Sequence, residues 1–126
     1  MAEGEINAPS GVRTAALSSI MYQYDLSSGE LNWSSALYTL LHFPTTEPLS
    51  KLEWWISHIH PDDAMILNQA MDRLDDPKIP SWSVQYRFRS GDGSYVMMRD
   101  SATILRDASG KPMWLIGTLT PTSSVR

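Results

Sequence analysis

The chain has 126 residues, of which 42% are hydrophobic and 19% charged, a composition that suits one folded domain with a single core. The net charge is −4 and the basic residues form no run, so binding to nucleic acid through a basic surface is disfavoured. Cysteine is absent, which excludes disulfides and thiolate metal sites, and no apolar run approaches the roughly 18 residues that a membrane span needs.

Residues 1–12 are predicted to form a flexible leader, because they contain glycine and proline and few apolar side chains. They lack the apolar core of a signal peptide, and this, with the absence of cysteine, predicts a cytoplasmic location. A single domain is expected over residues 13–121, followed by a tail over 122–126. Within it, residues 13–20 are a candidate for a short N-terminal helix that ends at Ile20.

Two short strands are predicted next. Tyrosines alternate with polar side chains over Met21–Leu26, and Glu30–Trp33 returns as the second strand of a hairpin. The turn between them ends at Gly29, a residue type that tolerates a positive φ.

The middle of the chain has helical spacing. One helix is expected from Ser34 or Ser35 to about His42, and a short second helix places Trp55 on its apolar face. Pro61 suits the first turn of a third helix that runs to about Leu74. The predicted face of this third helix consists of Met65, Ile66, Gln69, Ala70 and Arg73.

The C-terminal part alternates with the period of strands. Three strands are predicted, at Trp82–Arg89, Tyr95–Leu105 and Met113–Thr120, with short turns between them. Short turns make neighbouring strands antiparallel. The sequence therefore predicts an α+β fold, a five-stranded antiparallel sheet with helices packed on one face.

This order and four motifs resemble the PAS family, the PAS fold with its PAC motif, in the subgroup common in bacterial signalling proteins. The most specific motif runs from Trp55 to Asp63 and is similar to the family's W…hIHPDD element. The others are Tyr24-Asp25-Leu26 with Gly29 and Trp33-Ser34, Tyr86-Arg87-Phe88-Arg89 with Asp92-Gly93-Ser94-Tyr95, and Arg106-Asp107 with Gly110-Lys111-Pro112 and Gly117. The resemblance covers roughly residues 20–120.

Two positions depart from the family pattern. Met97 stands where the family usually has tryptophan. Pro121-Thr122-Ser123 stands where it usually has Asp-Ile-Thr, the point at which such domains couple to an output helix.

The resemblance implies a sensory domain without catalytic residues of its own, in a two-component or cyclic-dinucleotide signalling protein. It would bind a small ligand or a protein partner and relay the signal to a histidine kinase or diguanylate cyclase domain outside this chain. The alternative is a ligand-free dimerisation or protein-interaction module with a filled core. A small enzyme would need a cleft with paired titratable groups, and the sequence offers no convincing set.

A ligand pocket, if present, is expected between the long helix and the inner face of the sheet. Its candidate walls are Leu41, Trp55, Ile66, Tyr86 and Met98. Strand register decides whether Met97 or Met98 points inward.

The cofactor is left open by the sequence. Haem and flavin occur in the family, but nothing beside His60 specifies a haem ligand, and the absence of cysteine excludes cysteinyl-flavin photochemistry. A metal site at His58, His60 and the following aspartates is disfavoured. A structural role fits better, with Pro61 fixing a first helical turn and acidic residues at its positive end.

A homodimer is predicted through the outer face of the sheet. Trp114 and Ile116 share one face of the last strand, while Leu115 and Leu119 supply the other. One of these faces is exposed unless a partner or the N-terminal helix covers it. Ile20 is the third candidate interface residue.

Overall fold

A five-stranded antiparallel sheet organises the fold in this computed structural model, which describes residues 19–45 and 50–122. The strands are β1 (Ile20–Asp25), β2 (Glu30–Trp33), β3 (Ser81–Arg89), β4 (Tyr95–Arg106) and β5 (Pro112–Pro121). Their order across the sheet is β2-β1-β5-β4-β3, so the first and last strands are neighbours. The predicted α+β class and antiparallel sheet are confirmed.

The helical layer connects β2 to β3 and covers one face of the sheet, called the inner face below. It consists of α1 (Ala36–Leu41), α2 (Leu52–Ser57) and α3 (Ala64–Met71). Short 3₁₀ turns at Pro61–Asp63 and Asp72–Asp75 extend α3 at both ends. The long helix predicted from Pro61 to Leu74 is therefore a helical stretch of which only the middle is α-helical.

Alternation along the strands separates the inner face from the outer face. In β5, Leu115 and Leu119 are fully buried under the helices, whereas Trp114 and Ile116 are half-buried on the outer face. In β4 the register places Met98 inside, 0% exposed and opposite Tyr86. Of the two methionines that the sequence left open, Met98 is thus the inner one.

The buried face of α3 differs from the prediction by one residue. Leu67, Ala70 and Leu74 are buried, whereas Ile66 is only half-buried and Met65 is 61% exposed. The predicted stripe contained a glutamine and an arginine, while the observed stripe is apolar throughout. The observed stripe buries more hydrophobic area against the sheet than the predicted stripe would. Burial of hydrophobic area determines which face of an amphipathic helix points to the core.

The N-terminal prediction needs a correction at Ile20. Residues 1–18, which include the leader and most of the candidate helix, lie outside the described residues. Ile20 is the first residue of β1, pairs with Leu119, and is 0% exposed on the inner face. Its placement in a helix and on an outer-face interface was wrong, because the alternation of β1 begins one residue earlier than predicted.

At the other end of the domain, the residues that depart from the family pattern still take part in the sheet. Pro121 pairs with Met98, and the backbone N–H of Thr122 donates to the Met97 carbonyl at 3.0 Å. Ser123 and the rest of the predicted tail lie outside the described residues.

Arg87 in β3 binds the start of α3. Its side chain donates to both carboxylate oxygens of Asp63, from Nε at 2.8 Å and from Nη2 at 2.9 Å, and its backbone N–H donates at 2.8 Å. The His60 N–H donates to the Arg87 carbonyl beside this pair. The acidic end of the motif therefore anchors α3 to the sheet.

Arg106 fastens the end of the helical layer. Its guanidinium donates to five backbone carbonyls at 2.9–3.3 Å, those of Arg73, Leu74, Asp76, Ile79 and Gly110. These carbonyls belong to the end of the helical stretch and to the turns beside it. A cation at the C-terminal end of a helix also complements the helix dipole.

No helix within residues 19–45 and 50–122 has both the length and the apolar character that crossing a bilayer requires.

Candidate functional site

One carboxylate lies at the centre of the core. Asp100 is on the inner face of β4 and is 0% exposed. Its Oδ1 accepts a hydrogen bond from the Tyr22 hydroxyl at 2.6 Å, and its Oδ2 accepts one from the Tyr86 hydroxyl at 2.9 Å. Because Tyr86 is on the neighbouring β3 and Tyr22 is two strands away on β1, the carboxylate links three of the five described strands.

Two tryptophans complete this network. Trp55 in α2 donates from its indole nitrogen to the Tyr86 hydroxyl at 2.9 Å, and its ring packs edge-on against Tyr22 with 4.7 Å between centroids. The indole N–H of Trp82 favours the charged form of Asp100. It has, however, no hydrogen-bond partner of good geometry in the described part of the chain, although it is buried.

Burial dominates the electrostatics of the network. It raises the pKa of Asp100 to about 6, because a charge without surrounding water is unfavourable. The hydrogen bonds from Tyr22 and Tyr86, and the nearby indole N–H of Trp82, act in the opposite direction, since they stabilise the ionised form. Burial, and then the nearby carboxylate, also raises the pKa of both tyrosine hydroxyls well above their usual value, so both remain donors at neutral pH.

A glycine in β5 allows the side chain of Tyr22 to extend across the sheet to Asp100. Gly117 in β5 lies between Tyr22 and Ala102 in the register. A β-carbon at residue 117 would stand 2.7 Å from the tyrosine hydroxyl oxygen and 2.6 Å from the Ser101 carbonyl oxygen. The tyrosine can therefore cross β5 to the carboxylate only because this position has no side chain.

Three of the five predicted pocket walls meet at the network. Trp55 and Tyr86 are hydrogen-bonded to each other, and Met98 lies opposite Tyr86 in the register. Leu41 is also buried, at the C-terminal end of α1. Ile66 was misplaced, because it lies beside the buried stripe of α3 rather than within it. The assignment of these residues to a ligand pocket stays a prediction.

The histidines of the most specific motif have structural roles. His60 caps the 3₁₀ turn that Pro61 begins, its Nδ1 accepting a hydrogen bond from the Asp62 N–H at 3.0 Å. His58 is buried among aromatic rings, with its Nδ1 2.8 Å from the Trp54 carbonyl. Among the residues that the structure describes, no three histidine or acidic side chains gather as metal ligands would.

The outer face of the sheet carries an apolar patch. Trp114 lies between Leu105, which is 42% exposed, and Asp25 in the register. Met21 in β1 is 56% exposed, and Ile116 is half-buried. A groove of about 320 Å³ runs beside them, lined by Met21, Tyr22, Gln23, Asn32, Trp33, Ser34 and Ile116.

Sequence reasoning missed Asp100, although a signal was available. Every second residue of β4 faces inward, and these residues are Met98, Asp100, Ala102 and Ile104. A carboxylate therefore interrupts an otherwise apolar series. A charge at such a position is either satisfied inside the core or evidence of another register. Its partners Tyr22 and Tyr86 had been placed on strands, but nothing in the local pattern revealed that they converge.

The sequence model of one protein family, described as "PAS fold", matches residues 30–119. A comparison with curated proteins finds no match. Among solved structures, the chain resembles the N-terminal domain of a diguanylate cyclase with PAS/PAC sensor from Marinobacter aquaeolei. The TM-score is 0.73 at 24% identity, covering 82% of this chain and 94% of the other.

A sensory box histidine kinase/response regulator from Burkholderia thailandensis E264 matches with a TM-score of 0.71 at 19% identity, over 90% of this chain and 84% of the other. The PAS-B domain of Drosophila melanogaster Cycle with bound ethylene glycol matches with a TM-score of 0.63 at 16% identity, over 82% of this chain and 99% of the other. At these identities the likeness is one of fold.

Proposed function

The chain belongs to the PAS fold family, and from this premise we propose that it is a sensory and interaction domain that relays a signal through the outer face of its sheet. The proposed recipient is an output domain of the histidine kinase or diguanylate cyclase type. Similar domains in a diguanylate cyclase and in a histidine kinase support this choice. The proposed role requires no catalysis by the domain itself.

The observation that carries the proposal is the contrast between the two faces of the sheet. On the inner face, Trp55, Tyr86 and Met98 are 0% exposed. On the outer face, Met21 and Leu105 are about half exposed to solvent, at 56% and 42%. Contiguous exposed apolar side chains favour a protein contact at this face.

A second copy of this chain is the proposed partner, because the outer face is complementary to itself. Its central register rows are uncharged: Met21–Thr118–Ser101–Ser83 and Gln23–Ile116–Thr103–Ser81. Asp25 and Glu30 lie at one end of the face, and Arg99 and Arg89 lie toward the other. Two copies packed antiparallel about a two-fold axis would bring each acidic end against a basic end.

Sedimentation of the wild type and of Trp114→Glu tests this proposal. We expect a wild-type dimer with an interface of about 1,200 Å² or more, which a charge placed in its apolar patch dissociates. Met65→Glu is the matched control, because it places the same charge at an exposed position of α3 on the other side of the sheet. A wild type that stays monomeric at several hundred micromolar, or equal dissociation by both variants, would refute the dimer.

A small-molecule input is the second candidate, and the unpartnered indole N–H of Trp82 supports it. This buried donor and the Asp100 carboxylate are polar groups inside the core that could hold a small hydrogen-bonding ligand. A PAS-B domain of the same fold holds ethylene glycol. Native mass spectrometry of the protein as purified tests it: an added mass that Trp82→Phe abolishes supports a ligand, and the bare chain mass argues against one.

A further inference from the structure

A buried carboxylate without a cationic partner is uncommon in a core, because burial of a charge is unfavourable. We propose that Asp100 is a proton-operated switch, in which binding or release of one proton at its carboxylate changes how firmly β1 is held to the rest of the sheet. The proposal concerns the core alone and does not depend on which partner occupies the outer face.

The elements packed around Asp100 present mainly aromatic and aliphatic side chains to it. β1 presents Tyr22, β3 presents Tyr86 and Trp82, and α2 presents Trp55. The inner face of β5 has no titratable side chain, consisting of Leu115, Gly117 and Leu119. The buried residues of α1 and α3 are Leu37, Leu41, Leu67 and Ala70. Within residues 19–45 and 50–122, the groups that act on the carboxylate are therefore two tyrosines and a tryptophan, all uncharged near neutral pH.

In the ionised state every hydroxyl of the network has a partner. Oδ1 accepts from Tyr22 and Oδ2 from Tyr86, while the Tyr86 oxygen accepts from Trp55. Hydrogen bonds to an ionised acceptor are short and strong, in agreement with the 2.6 Å bond from Tyr22. The charge is thus held by two donors, and β1 is tied directly to β4.

A proton on the carboxylate removes this arrangement. The acid then has a hydrogen of its own to donate, and the Tyr86 oxygen already accepts from Trp55. The remaining acceptor is the Tyr22 oxygen, whose own hydrogen must then turn away from Oδ1. Opposite Tyr22 in the register stands Gly117, which offers no side-chain acceptor. Protonation therefore removes the buried charge but leaves the hydrogen of the Tyr22 hydroxyl without an acceptor.

The two states are close in free energy because opposing forces act on the same group. Burial favours the protonated acid, whereas the two tyrosine hydroxyls and the nearby indole N–H of Trp82 favour the carboxylate, with the balance near a pKa of about 6. A small change in pH, or in the position of Tyr22, is then enough to change which protonation state of Asp100 is the more populated. The consequence reaches β1 through Tyr22, whereas the bonds from Tyr86 to Oδ2 and from Trp55 to Tyr86 are kept.

Carbon-13 NMR of the full chain tests the switch directly. The Asp100 carboxyl carbon should titrate with a midpoint near pH 6, and the Tyr22 Cζ resonance should follow the same midpoint, since its hydroxyl changes partner. Tyr22→Phe removes a donor to the charged form, so it should move the Asp100 midpoint upward. A midpoint at the ordinary value of about 4, or a Tyr22 resonance that ignores the Asp100 titration, would overturn the proposal.

Urea unfolding gives an independent measurement. Relative to Asp100→Asn, which cannot ionise, the unfolding constant of the wild type should rise about 20-fold between about pH 4.5 and pH 6.5. The control Asp62→Asn, at an exposed aspartate of the motif, should retain the wild-type profile. Parallel profiles for the wild type and Asp100→Asn would contradict the switch, and if that variant does not fold, the NMR titration decides alone.

Discussion

The ring of Tyr22 lies over Gly117, so closely that a β-carbon there would be 2.7 Å from the tyrosine hydroxyl oxygen. Gly117→Ala should therefore destabilise the domain by about 1–3 kcal/mol, because the tyrosine or the strand must move. The free energy of unfolding in urea measures the effect. Thr118→Ala, on the outer face of the same strand, should change it by less than about 0.5 kcal/mol. Equal effects of the two changes would mean that the contact is unimportant.

The corrected face of α3 leads to a second prediction. Leu67→Ala should lower the free energy of unfolding by about 2–4 kcal/mol, because Leu67 is 0% exposed and its removal leaves a cavity. Met65→Ala, two positions earlier and 61% exposed, should have little effect. Should Met65→Ala prove the more damaging of the two, the observed orientation of the helix would be wrong.

The elements of the fold could be predicted from local patterns. Alternation at period two located β3, β4 and β5, and helical spacing with Pro61 located the helical stretch that contains α3. The rotation of α3 about its axis could not be predicted as well, because Ala70 belongs both to the predicted stripe and to the observed one. The choice between the two stripes depends on which side chains of the sheet face the helix. Ile20 was misassigned for a related reason. Alternation is a pattern of several residues, so it does not show whether the residue just before it belongs to the strand.

The candidate site was harder to predict than the fold. Trp55 and Tyr86 were correctly predicted to face the core, since each follows from the period of its own element, whereas the choice between Met97 and Met98 needed the strand register. Their hydrogen-bonding centre was missed, because Asp100 meets Tyr22 only through the strand order β1-β5-β4 and the glycine between them. Contacts between residues 78 positions apart depend on topology, which local patterns do not encode.

The ion pair between Asp63 and Arg87 makes a pH-dependent contribution to stability. The guanidinium holds the pKa of Asp63 down at about 2, below its unfolded value, so the contribution is complete above about pH 4 and is lost as the pH falls toward 2. Asp63→Asn should lower the free energy of unfolding at pH 7 by about 1–2 kcal/mol, a range that allows for solvent screening of the half-exposed Arg87.

Urea unfolding at pH 7 and near pH 2 measures this contribution. The difference between the wild type and Asp63→Asn should shrink at the lower pH, because the aspartate is then protonated in the unfolded chain and about half protonated in the folded one. A difference that is independent of pH would mean that the charge of Asp63 is not what stabilises the helix start.

Arg106 should be irreplaceable by lysine. An ammonium is a compact charge with three donors, and it cannot reproduce a planar group that reaches five carbonyls. Arg106→Lys should lower the free energy of unfolding by about 2 kcal/mol, because several part-buried carbonyls lose their donors. Arg99→Lys, at an exposed position of the same strand, is the control and should be close to neutral. Similar losses for both would indicate a general effect of arginine replacement.

The pairing of β1 with β5 determines how the domain would respond to tension. Ile20 at the start of β1 lies opposite Leu119 near the end of β5, so the described domain begins and ends on adjacent strands at the same end of the pair. A pull on the two ends acts across this ladder and breaks its hydrogen bonds one after another, not all together. The opening would start at Ile20, pass Met21 and then reach Tyr22, whose hydroxyl donates to the buried carboxylate of Asp100.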